Sequence, residues 1–309
     1  MTVREMVLKG RFCTGGEVHG DALEVQLATF KLTQNALNKG LAKLIRVQSV
    51  YDDLAPSTGL TSEDWERALN YHAVPRPLPP FQCCWLEARG RSGPKQSIGV
   101  IATRWLVEQL GRTPLLDALP KEVHERMRNQ GAHWVVNAVT FADYRGNAFN
   151  PSNLLYWLDA DGQFLSHTRI LFGAPAEPQI QSDRFLTGLM LASFGRLNCR
   201  NVELVVDPSC LPKQKQKHCH RRAQTNPTIW HDIRISSVPK LPARSANSGG
   251  GADDVERRFH WVRGHFADYS KGNGLFGNPN LRCTFWMPEH HRGSADAGEV
   301  FSSYTIDKV

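Results

Sequence analysis

Two apolar runs meet across an Asp-Gly pair in L-L-Y-W-L-D-A-D-G-Q-F-L-S-H-T-R-I-L, Leu154 to Leu171. Asp161-Gly162 supplies the positive-φ residues that a tight hairpin turn needs, so the runs are expected to pair antiparallel. A two-stranded hairpin is only marginally stable by itself. This stretch therefore commits its part of the chain to a larger sheet with helices packed on it.

The neighbouring pattern supplies the rest of that sheet. Phe81 to Ala88, Ser97 to Trp105 and His133 to Tyr144 are rich in β-branched and aromatic residues and read as strands. Ser182 through Phe194 has the spacing of a helix capped at Ser182, and Asn201 to Val206 reads as a short strand. Upstream, Glu24 to Val50 suits one or two amphipathic helices and Ser62 to His72 another. P-R-P-L-P-P, Pro75 to Pro80, follows as a stiff connector or a polyproline ligand. Downstream, Thr228 to Val238 is a predicted strand and Ser245 to Asp254 a flexible glycine-rich loop. The expected class is α+β, in three parts. Residues 1–80 form an N-terminal helical segment ending in the proline connector, residues 81–212 an α+β domain on an antiparallel sheet, and residues 213–309 a basic, histidine-rich, mostly β domain.

Composition removes several classes of protein. With 41% hydrophobic and 22% charged residues, the 309-residue chain has the apolar content of a folded globular protein. It contains no run of about 18 apolar residues to cross a bilayer, and charges interrupt its first ten residues where a signal peptide would be apolar. Neither a membrane span nor export is expected. The seven cysteines show no disulfide framework or paired zinc spacing, which predicts free thiols in a reducing cytoplasm. No P-loop, dinucleotide turn, H-E-x-x-H or G-x-S-x-G motif is present, so neither a cofactor nor a metal is expected.

The net charge of +7 is unevenly placed. Lys213 to Val309 holds 15 Lys and Arg against 9 Asp and Glu, whereas the first 212 residues hold 22 against 21. Seven of the twelve histidines also lie beyond Lys213. Such asymmetry points to a polyanionic partner for the C-terminal third. In K-Q-K-Q-K-H-C-H-R-R, the cations Lys213, Lys215, Lys217, Arg221 and Arg222 have no acid among them. Two roles fit that run: a solvated linker, and a phosphate contact that releases counterions. Zinc held by Cys210, His218, Cys219 and His220 fits poorly, because adjacent side chains rarely converge on one tetrahedral ion.

R-F-H-W-V-R-G-H-F, Arg258 to Phe266, and F-W-M-P-E-H-H-R-G, Phe285 to Gly293, concentrate four histidines within a short span. Read as one regular strand, Arg257 to Tyr269 places Trp261, Arg263, His265 and Tyr269 on one face and His260 on the other, with Gly264 the residue type that permits a bulge. Arg and His beside aromatic rings suit a phosphate and a stacked base. Joined by His290 or His291, they also suit metal-free phosphodiester cleavage, with His265, His290 and His291 as candidate acid and base and Arg263 or Arg292 on the developing charge. Against both stands a core role, since histidines beside Phe285 and Trp286 are often hydrogen-bonded members of a sheet.

The run R-F-H-W-V-R-G-H-F, then G-L-F-G, then F-W-M-P-E-H-H-R-G resembles the C-terminal part of uncharacterised proteins from phages, prophages and other bacterial mobile elements. That resemblance implies work in a bacterial cytoplasm and transfers no catalytic residue. Two functions are expected in consequence. One is nucleic-acid binding, to RNA or single-stranded DNA, through the basic C-terminal domain, with a histidine-dependent nuclease as its enzyme form. The other is a non-enzymatic interaction with a host or defence protein, through tryptophans and arginines.

Overall fold

The computed structural model describes residues 1–14, 21–54, 74–89, 97–109, 120–150, 152–171, 177–210, 228–236, 258–262, 265–273, 275, 279–287, 290–292 and 294–299. They have the expected mixed α+β character and divide into two compact units. Met1–Asn198 with Val202–Arg234 makes the first, and Cys199–Asn201 with Ile235–Val309 the second. The helix expected at Ser62 to His72, the Lys213 to Arg222 run and the Ser245 to Asp254 loop lie outside the described residues. Among the described residues, no helix is long and apolar enough to cross a membrane.

Ten strands build the sheet of the first unit. They are β1 (Phe12–Cys13), β2 (Lys43–Arg46), β3 (Cys83–Arg89), β4 (Ser97–Leu106), β5 (Trp134–Tyr144), β6 (Asn147–Phe149), β7 (Ser152–Leu158), β8 (Phe164–Leu171), β9 (Val202–Val206) and β10 (Trp230–Ile235). The order is β1-β6-β5-β4-β3-β2-β10-β9, and β5 also pairs with β7, which pairs with β8. The eleven-residue β5 makes this branching possible. Its Trp134 to Val139 stretch faces β7, while Ala142 to Tyr144 faces β6.

The expected hairpin is present as β7 and β8, antiparallel, with Gly162 at a φ of 80° in the turn. The sheet is not wholly antiparallel, however. β1 runs parallel to β6, and β2 runs parallel to both β3 and β10. Parallel neighbours need a crossover connection, and helix α3 (Gln48–Leu54) lies in the connection from β2 to β3. Residues before Phe81 thus contribute strands β1 and β2 as well as helices α1 (Val3–Leu8), α2 (Asp21–Asn38) and α3.

Alternation along the strands puts an apolar core on each face. On one face Leu44, Trp85, Ile101, Val139 and Phe141 pack with Val3, Met6 and Val7 of α1 and Phe30 and Leu37 of α2. On the other, Ile45, Cys84, Leu86, Val100, Ala138 and Tyr156 pack with Val50 of α3 and with Leu189, Met190 and Phe194 of α5 (Glu177–Leu197). The remaining helix α4 (Lys121–Asn129) covers Val135, Leu155 and Trp157 with Val123 and Met127. Helix α5 starts at Glu177, not at the expected Ser182. Pro178 then sits in its first turn, where no backbone donor is required, and Ser182 becomes an interior residue.

The proline segment is not a free connector. Tyr156 donates its hydroxyl to the Pro77 carbonyl at 2.8 Å, Asn198 donates Nδ2 to the carbonyls of Arg76 and Leu78 at 2.8 Å each, and Arg104 donates to that of Pro79 at 2.6 Å. Prolines cannot donate to a ladder, and side chains from the sheet and from Asn198, just past α5, satisfy these carbonyls.

In the second unit β11 (Arg258–Val262) pairs antiparallel with β14 (His290–Arg292) and parallel with β15 (Ser294–Glu299), while β12 (His265–Asp268) pairs antiparallel with β13 (Thr284–Met287). Asn201 clamps this unit. It accepts from the Trp286 N–H at 2.9 Å and donates to the carbonyls of Trp286 at 2.7 Å and Ser236 at 3.2 Å, so one amide replaces a missing strand partner.

Candidate functional site

The expected continuous strand from Arg257 to Tyr269 is two strands in two different sheets, β11 and β12. β11 ends at Val262 and β12 begins at His265, and Arg263 and Gly264 lie outside the described residues. Trp261 and His265 therefore do not share the face of one regular strand. Register instead sets Trp261 opposite His291, His260 opposite Arg292 and Val262 opposite His290, while His265 stands opposite Met287. His265 is exposed. Tyr269 is half-buried, edge-on to Phe285 with ring centroids 6.2 Å apart. Phe285 and Trp286 are buried, as core residues are. His231 is buried too, donating Nδ1 to the Leu44 carbonyl at 3.2 Å, and burial lowers its pKa. This histidine of the C-terminal third serves the sheet.

A different constellation emerges in the first unit, from residues that are far apart in sequence. Arg46 ends β2 and Arg89 ends β3, and because these strands are parallel both arginines reach the same edge of the sheet. The start of α1 contributes Thr2, Arg4 and Glu5, and the start of β10 contributes Trp230. With Gln48, Glu87 and Ala88 they line a cleft of about 540 Å³.

Local chemistry holds each wall. Thr2 caps α1 in a reciprocal box with Glu5, the Thr2 N–H donating to Glu5 at 2.8 Å and the Glu5 N–H to Thr2 at 3.2 Å. The Val3 N–H donates to Ser97 Oγ at 2.7 Å, which pins α1 to β4. Gln48 extends the edge of the sheet, accepting from the Arg89 N–H at 2.8 Å and donating to its carbonyl at 3.0 Å.

The guanidiniums of Arg4 and Arg46 both lie over the Trp230 indole, at 5.7 and 5.2 Å from the ring centre. Arg46 also pairs with Asp207 and, at 3.7 Å, with Asp232. Hydrogen bonds from the Ser209 hydroxyl and N–H, then from Arg46, hold Asp207 well below the usual carboxylate range, so it stays charged. Glu87 is only 7% exposed and accepts from Trp85 Nε1 at 2.9 Å. Burial pushes its carboxyl up, with Trp85, Thr2, Arg4 and Arg89 opposing. Burial likewise lowers the pKa of Arg4, whose Nε is buried with no hydrogen-bond partner among the described residues.

Arg4, Arg46 and Arg89 thus line the cleft beside Glu5 and Glu87, with Arg46 paired to Asp207 and Asp232, and their guanidiniums are planar donors of the kind that carboxylates and phosphates accept. Among the described residues no group of three or more His, Cys, Asp or Glu is placed to hold a metal. The charge balance of the first 212 residues gives no sign of this cleft, since Glu5, Glu87 and Asp207 lie beside its three arginines, and no local motif links positions 4, 46, 89 and 230. No family model, curated protein or solved structure matches the chain.

Proposed function

We propose that the protein binds a single-stranded nucleic acid and that the cleft between α1, β2, β3 and β10 holds one of its phosphates. The observation that carries this reading is the convergence of Arg4, Arg46 and Arg89 on one cleft beside Trp230. Two of those guanidiniums, planar by resonance, lie against the Trp230 indole. The basic run Lys213 to Arg222 adds charge for the rest of a strand.

Fluorescence anisotropy with labelled single-stranded RNA and DNA at several salt concentrations tests the reading. Arg89 is exposed, so Arg89→Ala leaves the fold intact. Removing one charge-assisted bond to phosphate should weaken binding about tenfold and reduce the salt slope by about 0.7. Binding that ignores salt, or that Arg89→Ala and Arg4→Gln leave at wild-type strength, overturns it.

A further inference from the structure

We infer that the cleft reads the end of a strand: it takes a terminal phosphate monoester in preference to a phosphodiester within the chain. This rests on the reading that a nucleic-acid phosphate enters the cleft.

The number and placement of donors is the first reason. Arg4 comes from a helix and Arg46 and Arg89 from the ends of two neighbouring strands, and all three line the one cleft. A monoester phosphate offers three unshared oxygens and a charge of about −1.5 to −2 near neutral pH. A diester offers two unshared oxygens and a single charge, and its two ester links leave in opposite directions. Three converging guanidiniums match the former.

The carboxylates give the second reason. A site that follows a backbone through is a positive groove along the strand. Here Glu5 and Glu87 line the cleft with the arginines, and Asp207 and Asp232 flank Arg46. A strand continuing past Arg46 would carry its next phosphate towards Asp207 and Asp232. A strand that stops in the cleft needs only one exit.

Size is the third reason. About 540 Å³ is the volume of a site for a single small ligand. It accommodates one terminal nucleotide, with Trp230 at the wall for its sugar or base.

The test uses the full chain and one oligonucleotide sequence in four forms: 5′-phosphorylated, 3′-phosphorylated, hydroxyl at both ends, and circular. Competition anisotropy should show one phosphorylated form binding at least about tenfold more tightly than the hydroxyl and circular forms. Arg89→Ala and Arg4→Gln should each shrink that preference to about threefold or less, and Arg89→Lys, which keeps the charge but not the fork, should fall between. Equal binding of all four forms, still weakened by Arg89→Ala, overturns end recognition and leaves the nucleic-acid reading standing. A nucleoside monophosphate that competes as strongly as the phosphorylated strand also overturns it, since the cleft would then serve free nucleotides. Failure of every strand to bind, or tighter binding of a phosphoserine peptide, overturns both.

Discussion

Glu87 and its neighbours show how one buried carboxyl ties the cleft to the core. Trp85, fully buried, donates to Glu87, and the indole lies flat only because residue 99 is glycine. A Cβ there would stand 2.4 Å from the Trp85 ring. Gly99→Ala should therefore destabilise the protein by about 1–3 kcal/mol through overpacking and disturb the Trp85 to Glu87 bond, measured as a lower Tm and altered tryptophan fluorescence. Glu87 also sets a pH dependence. Its folded pKa is raised above the ordinary 4.5, so its contribution to stability is complete below that ordinary value and is lost as pH rises through the raised one. In Glu87→Gln that loss is absent. The variant should gain on the wild type in Tm as pH is raised from about 4 to about 8, and parallel pH profiles for the two proteins would show that Glu87 does not titrate as placed.

At the scale of elements, side chains repeatedly stand in for missing strand partners. Tyr156 is fully buried and its hydroxyl serves the Pro77 carbonyl. Tyr156→Phe should cost about 1–3 kcal/mol, because the carbonyl is left unsatisfied. Protease accessibility of the Pro75 to Pro80 segment should rise with it, and an unchanged digestion pattern would mean that Asn198 and Arg104 suffice to hold the segment. Asn201 performs the same service in the second unit, bonding both backbone groups of Trp286. Asn201→Ala strips both, and a loss of about 2–4 kcal/mol is expected on unfolding of that unit. Hydrogen exchange at the Trp286 amide would report it directly.

For the whole molecule, the proposed binding has two separable parts, the cleft on one unit and the basic run at Lys213 to Arg222. The run supplies five closely spaced cations, so it should govern the salt dependence. Replacing Lys213, Lys215, Lys217, Arg221 and Arg222 by Ala should lower the slope of log affinity against log salt by about 0.7 for each phosphate of a single strand that the run no longer neutralises. The preference for a phosphorylated end should survive that change, since its donors are Arg4, Arg46 and Arg89. Filter binding over a range of salt separates the two, and an unchanged slope would reduce the run to a linker.

Local pattern was enough to locate the hairpin of β7 and β8, the strands β3, β4 and β5, the body of α5 and the burial of Phe285 and Trp286. Each depends on interactions between near neighbours, or on an alternation that repeats within a few residues. The parallel placement of β2 beside β3 and β10 was not legible, because pairing across long connections is decided by which core face each strand buries. The same reason separates His265 from the strand of Trp261: R-F-H-W-V-R-G-H-F reads as one alternating run, yet its two halves find partners in different sheets. Charge counting drew attention to the C-terminal third, where cations are adjacent in sequence. The cleft's arginines lie outside that third, and Arg4, Arg46, Arg89 and Trp230 meet because the start of a capped helix, the ends of two parallel strands and the start of a third strand line one cleft. Sequence by itself determined the class of fold and most of its strands, since these follow from local periodicity. Tertiary structure alone decided the site, because converging charges are a product of topology.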